Sequence, residues 1–268
     1  MVTGASRGIG RAVAVELARR GFSVVATMRD PADGADLDSE AEGAPGDLRV
    51  ERLDICDPGS FRFPDDLRVL VNNAGTRQPN LPVEEAPPSD WRTVFETNVF
   101  GTVEMIRRAV PVLRAAGGGV VCNVTSSSIL SPLPFFGTYR ASKAAISALC
   151  ETLRVELAPF GIRVVEILPG PIDTDMFRTS VMFKVPEAVR FEPYRQVAED
   201  HFPAAKFLSE DLITQPAVAA VAIVDAICDD GVMRHGCDVM SERSLEQWRS
   251  RGDEPAMQQA VAHFRPST

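Results

Sequence analysis

Short apolar runs alternate with longer segments of helical periodicity along most of this chain of 268 residues. The runs are nearly continuous in Val, Ile and Leu, which is typical of strands that are buried on both faces. Repeated alternation of strand and helix predicts a doubly wound α/β fold, a parallel sheet with helices on both faces. The predicted strands are 22–27, 50–55, 69–72, 120–124 and 162–168, and the predicted helices are 8–20, 89–113 and 138–157.

The alternation is irregular at both ends of the chain. Only Val2 and Thr3 precede the first predicted turn, so the first strand is truncated. This strand is expected in the middle of the sheet, and its loss would expose the edges of the strands beside it. We therefore expect the natural start to lie upstream of Met1, or the chain to be less stable than its relatives. A Phe-rich stretch at about 175–210 breaks the pattern and predicts a small lid. Without a repeat or linker, residues 1–268 are expected to form a single domain.

Two shorter features refine this pattern. About a dozen residues separate Asp57 from Arg68, so the crossover there should hold a turn rather than a full helix. Ser89 or Asp90 is the expected cap of the helix that contains Trp91.

Charge and composition narrow the class of partner. The net charge is −9, and no basic cluster is present that could neutralise a run of phosphates, so we expect neither a nucleic acid nor an anionic membrane as a partner. The most apolar stretch, 217–227, is about half the length of a membrane span. Five scattered cysteines without a C-x-x-C pair favour free thiols in a reducing compartment. These features predict a cytoplasmic protein that acts on a small molecule or binds a protein partner.

A glycine-rich turn, Thr3-Gly4-Ala5-Ser6-Arg7-Gly8-Ile9-Gly10, leads directly into the first predicted helix. Gly4 permits a tight turn, Gly8 lets the backbone approach a pyrophosphate, and Gly10 lets the helix pack on the sheet. The pattern predicts a dinucleotide site, although a tight turn without a ligand has the same spacing.

The end of the second strand indicates which dinucleotide binds. An adenosine 2′-hydroxyl requires an acidic residue there, whereas a 2′-phosphate favours Arg. Met28 takes the acidic position, Arg29 follows it, and Arg7 can approach the same phosphate. NADP(H) is therefore favoured over NAD(H). Asp30 is the residue that argues for the opposite choice, and ordinary surface arginines are the alternative explanation for Arg7 and Arg29.

Tyr139 and Lys143 are four residues apart, which places both on one helix face. The chain has only two tyrosines and three lysines, so this spacing is informative. A nearby cation stabilises a phenolate, and Lys143 is therefore expected to lower the pKa of Tyr139 towards neutrality. A solvated helix pair is the alternative. The three histidines have no ligand spacing, so no metal site is expected.

Together with the glycine-rich turn and this pair, three further segments resemble the short-chain dehydrogenase/reductase family. They are Asn72-Asn73-Ala74-Gly75, Ser126 thirteen residues before Tyr139, and Pro169-Gly170 with Thr174. The likeness runs from Thr3 to about Thr174 and implies a Rossmann-type fold. The C-terminal part is closer to the steroid and retinol dehydrogenase-like branch, and this leaves a homodimer open and gives no basis for a tetramer.

The resemblance implies a role for each matching residue. Tyr139 would be the general acid or base, and Ser126 would hydrogen-bond the same substrate oxygen. Lys143 would hold the nicotinamide ribose, and Asn98 would position a water in a proton relay to Lys143. A mid-helix polar residue and a strand-end hydroxyl are the alternatives for Asn98 and Ser126. The implied cofactor-binding residues are Thr3, Gly4, Ser6, Arg7, Gly8, Ile9, Gly10, Arg29, Asp54, Ile55, Asn72, Ala74, Gly75, Tyr139, Lys143, Pro169, Gly170, Ile172 and Thr174.

These residues predict an NADP(H)-dependent oxidoreductase that interconverts a carbonyl and an alcohol. Aromatic and Met side chains near Tyr139 and in the lid favour a lipophilic substrate, although the same rings could merely pack the lid onto the body. A sensor or scaffold that binds NADP(H) without chemistry is the rival. The aromatic and Met residues are Phe135, Phe136, Phe177, Met182, Phe183, Phe191, Tyr194, Phe202 and Phe207.

Overall fold

The computed structural model describes residues 1–179, 187–205 and 212–251, with backbone alone for 201–205 and 251. Within these ranges the strands form one seven-stranded parallel sheet in the order β3-β2-β1-β4-β5-β6-β7. The doubly wound α/β fold is therefore confirmed. The strands are β1 (Val2–Thr3), β2 (Val24–Met28), β3 (Leu48–Arg52), β4 (Val69–Asn72), β5 (Gly119–Val124), β6 (Ile162–Leu168) and β7 (Arg234–Gly236).

Helices cover both faces of the sheet. Helices α1 and α8 pack on one face of the sheet, against side chains of β1, β2 and β4. Helices α4 and α5 pack on the other face. The described helices are α1 (Gly8–Arg19), α2 (Leu37–Glu40), α3 (Pro88–Phe95), α4 (Thr102–Ala115), α5 (Gly137–Leu157), α6 (Asp175–Arg178), α7 (Arg195–Ala205), α8 (Pro216–Cys228) and α9 (Val239–Arg251). None of them is both long and apolar enough to span a membrane.

The predicted strands match best where both faces are buried. Strands β4 and β6 have the predicted bounds, and every residue of β4 is buried. Strand β3 begins and ends before the predicted 50–55, and its residues are half-buried or exposed. The expectation of burial on both faces is wrong for β3 because it lies at the edge of the sheet.

Strand β1 is short and lies in the middle of the sheet, both as predicted. Val2 pairs with Ala26 of β2 on one side and with Val71 of β4 on the other, and its side chain is fully buried. Two residues therefore join the two halves of the sheet and deliver the chain directly into the glycine-rich turn.

The predicted helix 89–113 is divided in three. An α-helical segment begins at Pro88, a π segment covers Glu96–Gly101, and α4 follows. The predicted cap at Ser89 or Asp90 is wrong, because Pro87 occupies the cap position and no side chain caps the helix. The crossover after β3 contains only the 3₁₀ turn Pro58–Ser60, which confirms that it lacks a full helix.

The predicted lid is described in part. It comprises α6, the 3₁₀ turns Glu187–Arg190 and Glu192–Tyr194, and α7. Met182, Phe183, Phe207 and the side chain of Phe202 lie outside the described residues. Buried Ala188 and Ala198 pack with Phe135, which lies shortly before α5, so this part of the lid contacts the segment that leads into Tyr139.

Candidate active site

The glycine-rich turn presents an open helix N-terminus. Gly4 and Gly8 have φ of 65° and 58°, in the left-handed region where a side chain is strained. Helix α1 begins at Gly8, with no side-chain cap and no acidic residue in its first turn. Unpaired N–H groups and the helix dipole at such an end attract a phosphate.

The turn is packed too closely for any side chain at its third glycine. A methyl group added at Gly10 would lie 2.4 Å from the Gly4 carbonyl oxygen and 2.3 Å from Asn73 Nδ2. Asn73 Nδ2 donates to the carbonyls of Thr3 and Gly4 at 3.0 and 3.1 Å. Thr3 Oγ1 accepts from the backbone N–H groups of Asn73 and Ala74. The end of β4 thus fixes the turn against the sheet.

Arg29 is exposed at the end of β2, and the next residue, Asp30, hydrogen-bonds the nearby backbone. Met28 is buried, and the Asp30 carboxylate accepts from Ala32 N at 3.0 Å, which caps a 3₁₀ turn. Asp30 is therefore engaged with its own backbone. Arg7 forms an ion pair with Asp175 at 3.8 Å, with both side chains about 70% exposed or more. Such an exposed pair is weak, and breaking it costs little.

The remaining predicted adenosine contacts follow β3 and β4. Asp54 Oδ1 accepts from Cys56 N at 2.9 Å, and Ile55 is buried. Asn72 Nδ2 donates to Asn123 Oδ1 at 2.8 Å. Among the described residues, Asn72 Oδ1 is the buried side-chain oxygen that has no hydrogen-bond partner. The Asn72 side chain thus joins the ends of β4 and β5, and leaving its buried acceptor without a partner costs free energy.

Segments after β6 close the other side of the turn. A methyl group added at Gly8 would lie 3.0 Å from Thr174 Cγ2, so Thr174 contacts the phosphate turn directly. Its hydroxyl accepts from Phe177 N at 3.2 Å and caps α6. Gly170 N donates to Asp238 Oδ2 at 2.7 Å, and Pro169 O accepts from Ser127 N. Ile172 is buried and forms a bridge to Thr214.

Tyr139 and Lys143 lie on one face of α5, as predicted. Lys143 Nζ is 5.8 Å from the centre of the Tyr139 ring and donates to Val124 O at 2.8 Å. Ser126 lies near the Tyr139 hydroxyl and acts to lower its pKa, and Ser126 Oγ accepts from Ser128 Oγ at 2.9 Å. The structure therefore brings the three predicted catalytic side chains together where β5 ends.

Asn98 lies in the π segment and joins α5 to the turn after β4. Its Oδ1 accepts from Thr76 N at 2.8 Å, and its Nδ2 donates to Thr76 O at 2.9 Å and to Ser142 Oγ at 3.0 Å. A methyl group added at Gly75 would lie 3.3 Å from Asn98 Oδ1 and 3.6 Å from Lys143 Nζ. Asn98 and Lys143 thus line the same cleft. Short π segments occur frequently at functional sites.

Burial shifts the pKa values of Tyr139 and Lys143. The pKa of Lys143 is lowered to about 8, because burial disfavours its charged form. The pKa of Tyr139 is raised by burial, and this rise is opposed by the hydrogen bond from Ser126 and by the charge of Arg77. The lowered pKa that we expected for Tyr139 from Lys143 is therefore not found in this structure.

The lowered pKa of Lys143 predicts a stability difference that depends on pH. Between the folded pKa of about 8 and the ordinary value of 10.5, the unfolded chain binds more protons, so stability rises with pH. Across this window, the free energy of unfolding of the wild-type protein should rise by about 3 kcal/mol relative to that of Lys143→Met. Denaturant unfolding of both proteins at about pH 7 and about pH 10 measures the difference. A difference that stays constant with pH contradicts the burial of this charge.

Sequence reasoning missed several groups that shape the site. Asn73 holds the phosphate turn, Val124 O accepts from Lys143, and Thr76 holds Asn98 through its backbone. Asn73 could have been found, because it follows Asn72 in the segment already singled out. The other two act through backbone atoms, which carry no side-chain signal. Arg77 was missed as well.

Comparison with known proteins decides the family. The chain matches the family model described as short chain dehydrogenase over residues 1–183. The chain belongs to the short-chain dehydrogenase/reductase family. It is an oxidoreductase that acts on CH–OH groups with NAD(P), the activity class of this family.

Individual relatives agree with this assignment. The chain is 38% identical over 192 residues to an uncharacterized oxidoreductase, YusZ, from Bacillus subtilis, covering 68% of this chain and 67% of that protein. It is 35% identical to retinol dehydrogenase 8 of Bos taurus, covering 65% of this chain and 59% of that protein, which supports the steroid and retinol dehydrogenase-like branch. A solved short chain dehydrogenase from Burkholderia cenocepacia J2315, in complex with NADP, is 27% identical with a TM-score of 0.73, covering 97% of this chain and 95% of that chain.

Proposed function

We propose that this dehydrogenase uses NADP(H) to interconvert a carbonyl and an alcohol on a small lipophilic substrate, with Tyr139 as general acid or base. The observation that carries the proposal is that Ser126 and Lys143 both lie beside Tyr139, in the cleft where β5 ends. That cleft adjoins the open phosphate turn, because Gly75 approaches Lys143 and Asn98 while Ala74 packs on Gly4.

Each side chain has a distinct task in this proposal. NADP(H), when bound, supplies or accepts the hydride. Ser126 donates a hydrogen bond to the substrate oxygen, and Tyr139 transfers a proton to or from that oxygen. Lys143 holds the nicotinamide ribose, and Ser126 and the charge of Arg77 oppose the rise in the pKa of Tyr139 that burial causes.

Asn98 is proposed to hold a water in the relay to Lys143. Both hydrogens of its amide are used, by Thr76 O and Ser142 Oγ. Its Oδ1 accepts once, from Thr76 N, so one lone pair remains available for a water. Asn98 therefore contributes an acceptor to the relay, and its amide hydrogens lock the orientation of that acceptor.

The apolar lid supports the lipophilic part of the proposal. Phe135 packs edge to face against Tyr194 with ring centres 6.3 Å apart, and Val189 and Val197 border the same cluster. A panel of carbonyl compounds, followed by NADPH absorbance, tests this assignment. Aliphatic or steroid ketones should be reduced faster than small polar sugars, and the reverse order contradicts it.

Arg29 is proposed to bind the adenosine 2′-phosphate, so its replacement should alter the choice of cofactor. In Arg29→Asp the cation is lost and a like charge faces the phosphate. The ratio of NADPH to NADH affinity should fall by about a hundredfold, the scale of one or two charged hydrogen bonds. Fluorescence titration of each cofactor gives this ratio. Arg92→Asp, which changes an exposed residue of α3, is the matched control, and an unchanged ratio in Arg29→Asp refutes the assignment.

A further inference from the structure

Arg77 bridges two walls of the candidate active site. It follows Thr76, whose backbone N–H and C=O both hydrogen-bond Asn98. Its own Nη2 donates to Thr179 Oγ1 at 2.9 Å, across 102 residues of sequence. Thr179 follows directly after α6, the helix that Thr174 caps beside the phosphate turn. The guanidinium therefore lies across the cleft, on the side where the lid begins.

This guanidinium has no carboxylate partner within ion-pair distance among the described residues. By contrast, two other arginines of this region form ion pairs with carboxylates: Arg7 with Asp175, and Arg178 with Asp173 at 2.5 Å. Arg77 is half-buried, and burial lowers its pKa, while its interaction with the Tyr139 phenol acts in the opposite direction. This partly desolvated cation, which interacts with the Tyr139 phenol, thus has no carboxylate counter-charge among the described residues.

The geometry of the side chain suits an oxyanion. A guanidinium offers five N–H donors in a rigid planar fork, and the bond to Thr179 uses one of them. The remaining donors match the oxygen spacing of a carboxylate or phosphate. Leaving such a cation partly buried is costly, and an anionic ligand would remove that cost.

We propose that Arg77 determines substrate specificity by binding an oxyanion, a carboxylate or a phosphate, carried by the carbonyl substrate. This inference rests on the proposed function, because it takes the reacting carbonyl to lie at Tyr139. The substrate then has an apolar body against the lid cluster around Phe135 and an anionic group at Arg77. It differs from a purely apolar ketone, which would leave the guanidinium without a partner.

Matched substrates test the proposal. The aldehydes 4-carboxybenzaldehyde and methyl 4-formylbenzoate differ at one substituent, which is a carboxylate in the first and an uncharged methyl ester in the second. Wild-type kcat/KM should favour the carboxylate. Arg77→Met should lower kcat/KM for the carboxylate about thirtyfold more than for the ester, because the lost charge at Tyr139 acts on both aldehydes alike. Arg77→Lys keeps the charge but not the planar fork of donors, so its kcat/KM for the carboxylate should lie between the values of the wild-type protein and Arg77→Met.

The control removes a positive charge elsewhere. Arg107 lies on α4, 66% exposed, in an ion pair with Glu104, and Arg107→Met should affect the two aldehydes equally. An equal fall in kcat/KM for both aldehydes in Arg77→Met would show that Arg77 stabilises the fold or acts on Tyr139 rather than binding the substrate. That result would overturn the inference. The absence of any change in Arg77→Met would overturn it as well.

A binding measurement separates this inference from the proposed reaction. Benzoate and phenyl phosphate are titrated calorimetrically into wild-type protein and Arg77→Met, both saturated with NADPH so that the cofactor covers its own phosphate site. At least one anion should bind the wild-type protein and bind Arg77→Met at least about tenfold more weakly; the stronger of the two identifies the oxyanion. Equal binding, or none, overturns the inference. If no aldehyde is reduced but binding depends on Arg77, the proposed reaction fails and the anion site stands.

Discussion

Tyr139→Phe should lower kcat for carbonyl reduction by about 10² to 10⁴-fold, the usual contribution of a positioned general acid. The substitution removes the hydroxyl that lies near Ser126 and keeps the ring that faces Lys143. NADPH affinity should stay close to the wild-type value, because Lys143 and the phosphate turn are unchanged. Steady-state kinetics and a fluorescence titration of NADPH measure the two quantities.

The other tyrosine of the chain provides a comparison. The Tyr194 hydroxyl donates to Glu84 Oε1 at 2.7 Å, at the exposed side of the lid. Tyr194→Phe should therefore cause a much smaller loss of kcat than Tyr139→Phe. Comparable losses in the two variants, or retained activity in Tyr139→Phe, would contradict the role that we propose for Tyr139.

Gly10→Ala should weaken NADPH binding by at least about tenfold and lower the free energy of unfolding by about 1 to 3 kcal/mol, the usual cost of overpacking. The added methyl group would lie 2.4 Å from the Gly4 carbonyl oxygen, and this backbone atom can move only if the phosphate turn moves with it. Denaturant unfolding and NADPH titration measure the two effects.

Gly21→Ala is the matched control for Gly10→Ala. Gly21 has a φ of 86°, and an added methyl group would meet nothing within 4 Å. This variant should cost about 1 to 2 kcal/mol of stability through backbone strain alone and leave NADPH affinity unchanged. Wild-type NADPH affinity in Gly10→Ala would mean that the turn does not hold the cofactor.

The fold could be predicted where burial is uniform. Strands β4 and β6 are apolar throughout because helices cover both faces, and their bounds agree with the structure. Strand β3 was misplaced because an edge strand mixes exposed and half-buried residues, as Arg49 and Glu51 show. The helical period also runs through Glu96–Gly101 without a break, so the π segment that carries Asn98 left no signal.

The candidate site was predictable to the extent that its residues are rare or closely spaced. Tyr139 and Lys143 are separated by one helical turn in a chain with two tyrosines and three lysines. Arg77 is one of 25 arginines, and what distinguishes it is a hydrogen bond to Thr179 and the absence of a carboxylate partner among the described residues. Both properties depend on tertiary structure. Burial likewise reversed the expected direction of the Tyr139 pKa.

The most direct test of the central claim is transfer of deuterium to a carbonyl compound from NADPH in which both hydrogens at C4 of the nicotinamide ring are replaced by deuterium. The wild-type protein is incubated with labelled NADPH and a panel of aldehydes and ketones that includes the two formylbenzoates, and the products are analysed by mass spectrometry. The account predicts an alcohol that carries one deuterium on the former carbonyl carbon, formed by the wild-type protein and lost in Tyr139→Phe. Tight NADPH binding without a labelled alcohol from any compound would contradict it and favour a sensor or scaffold.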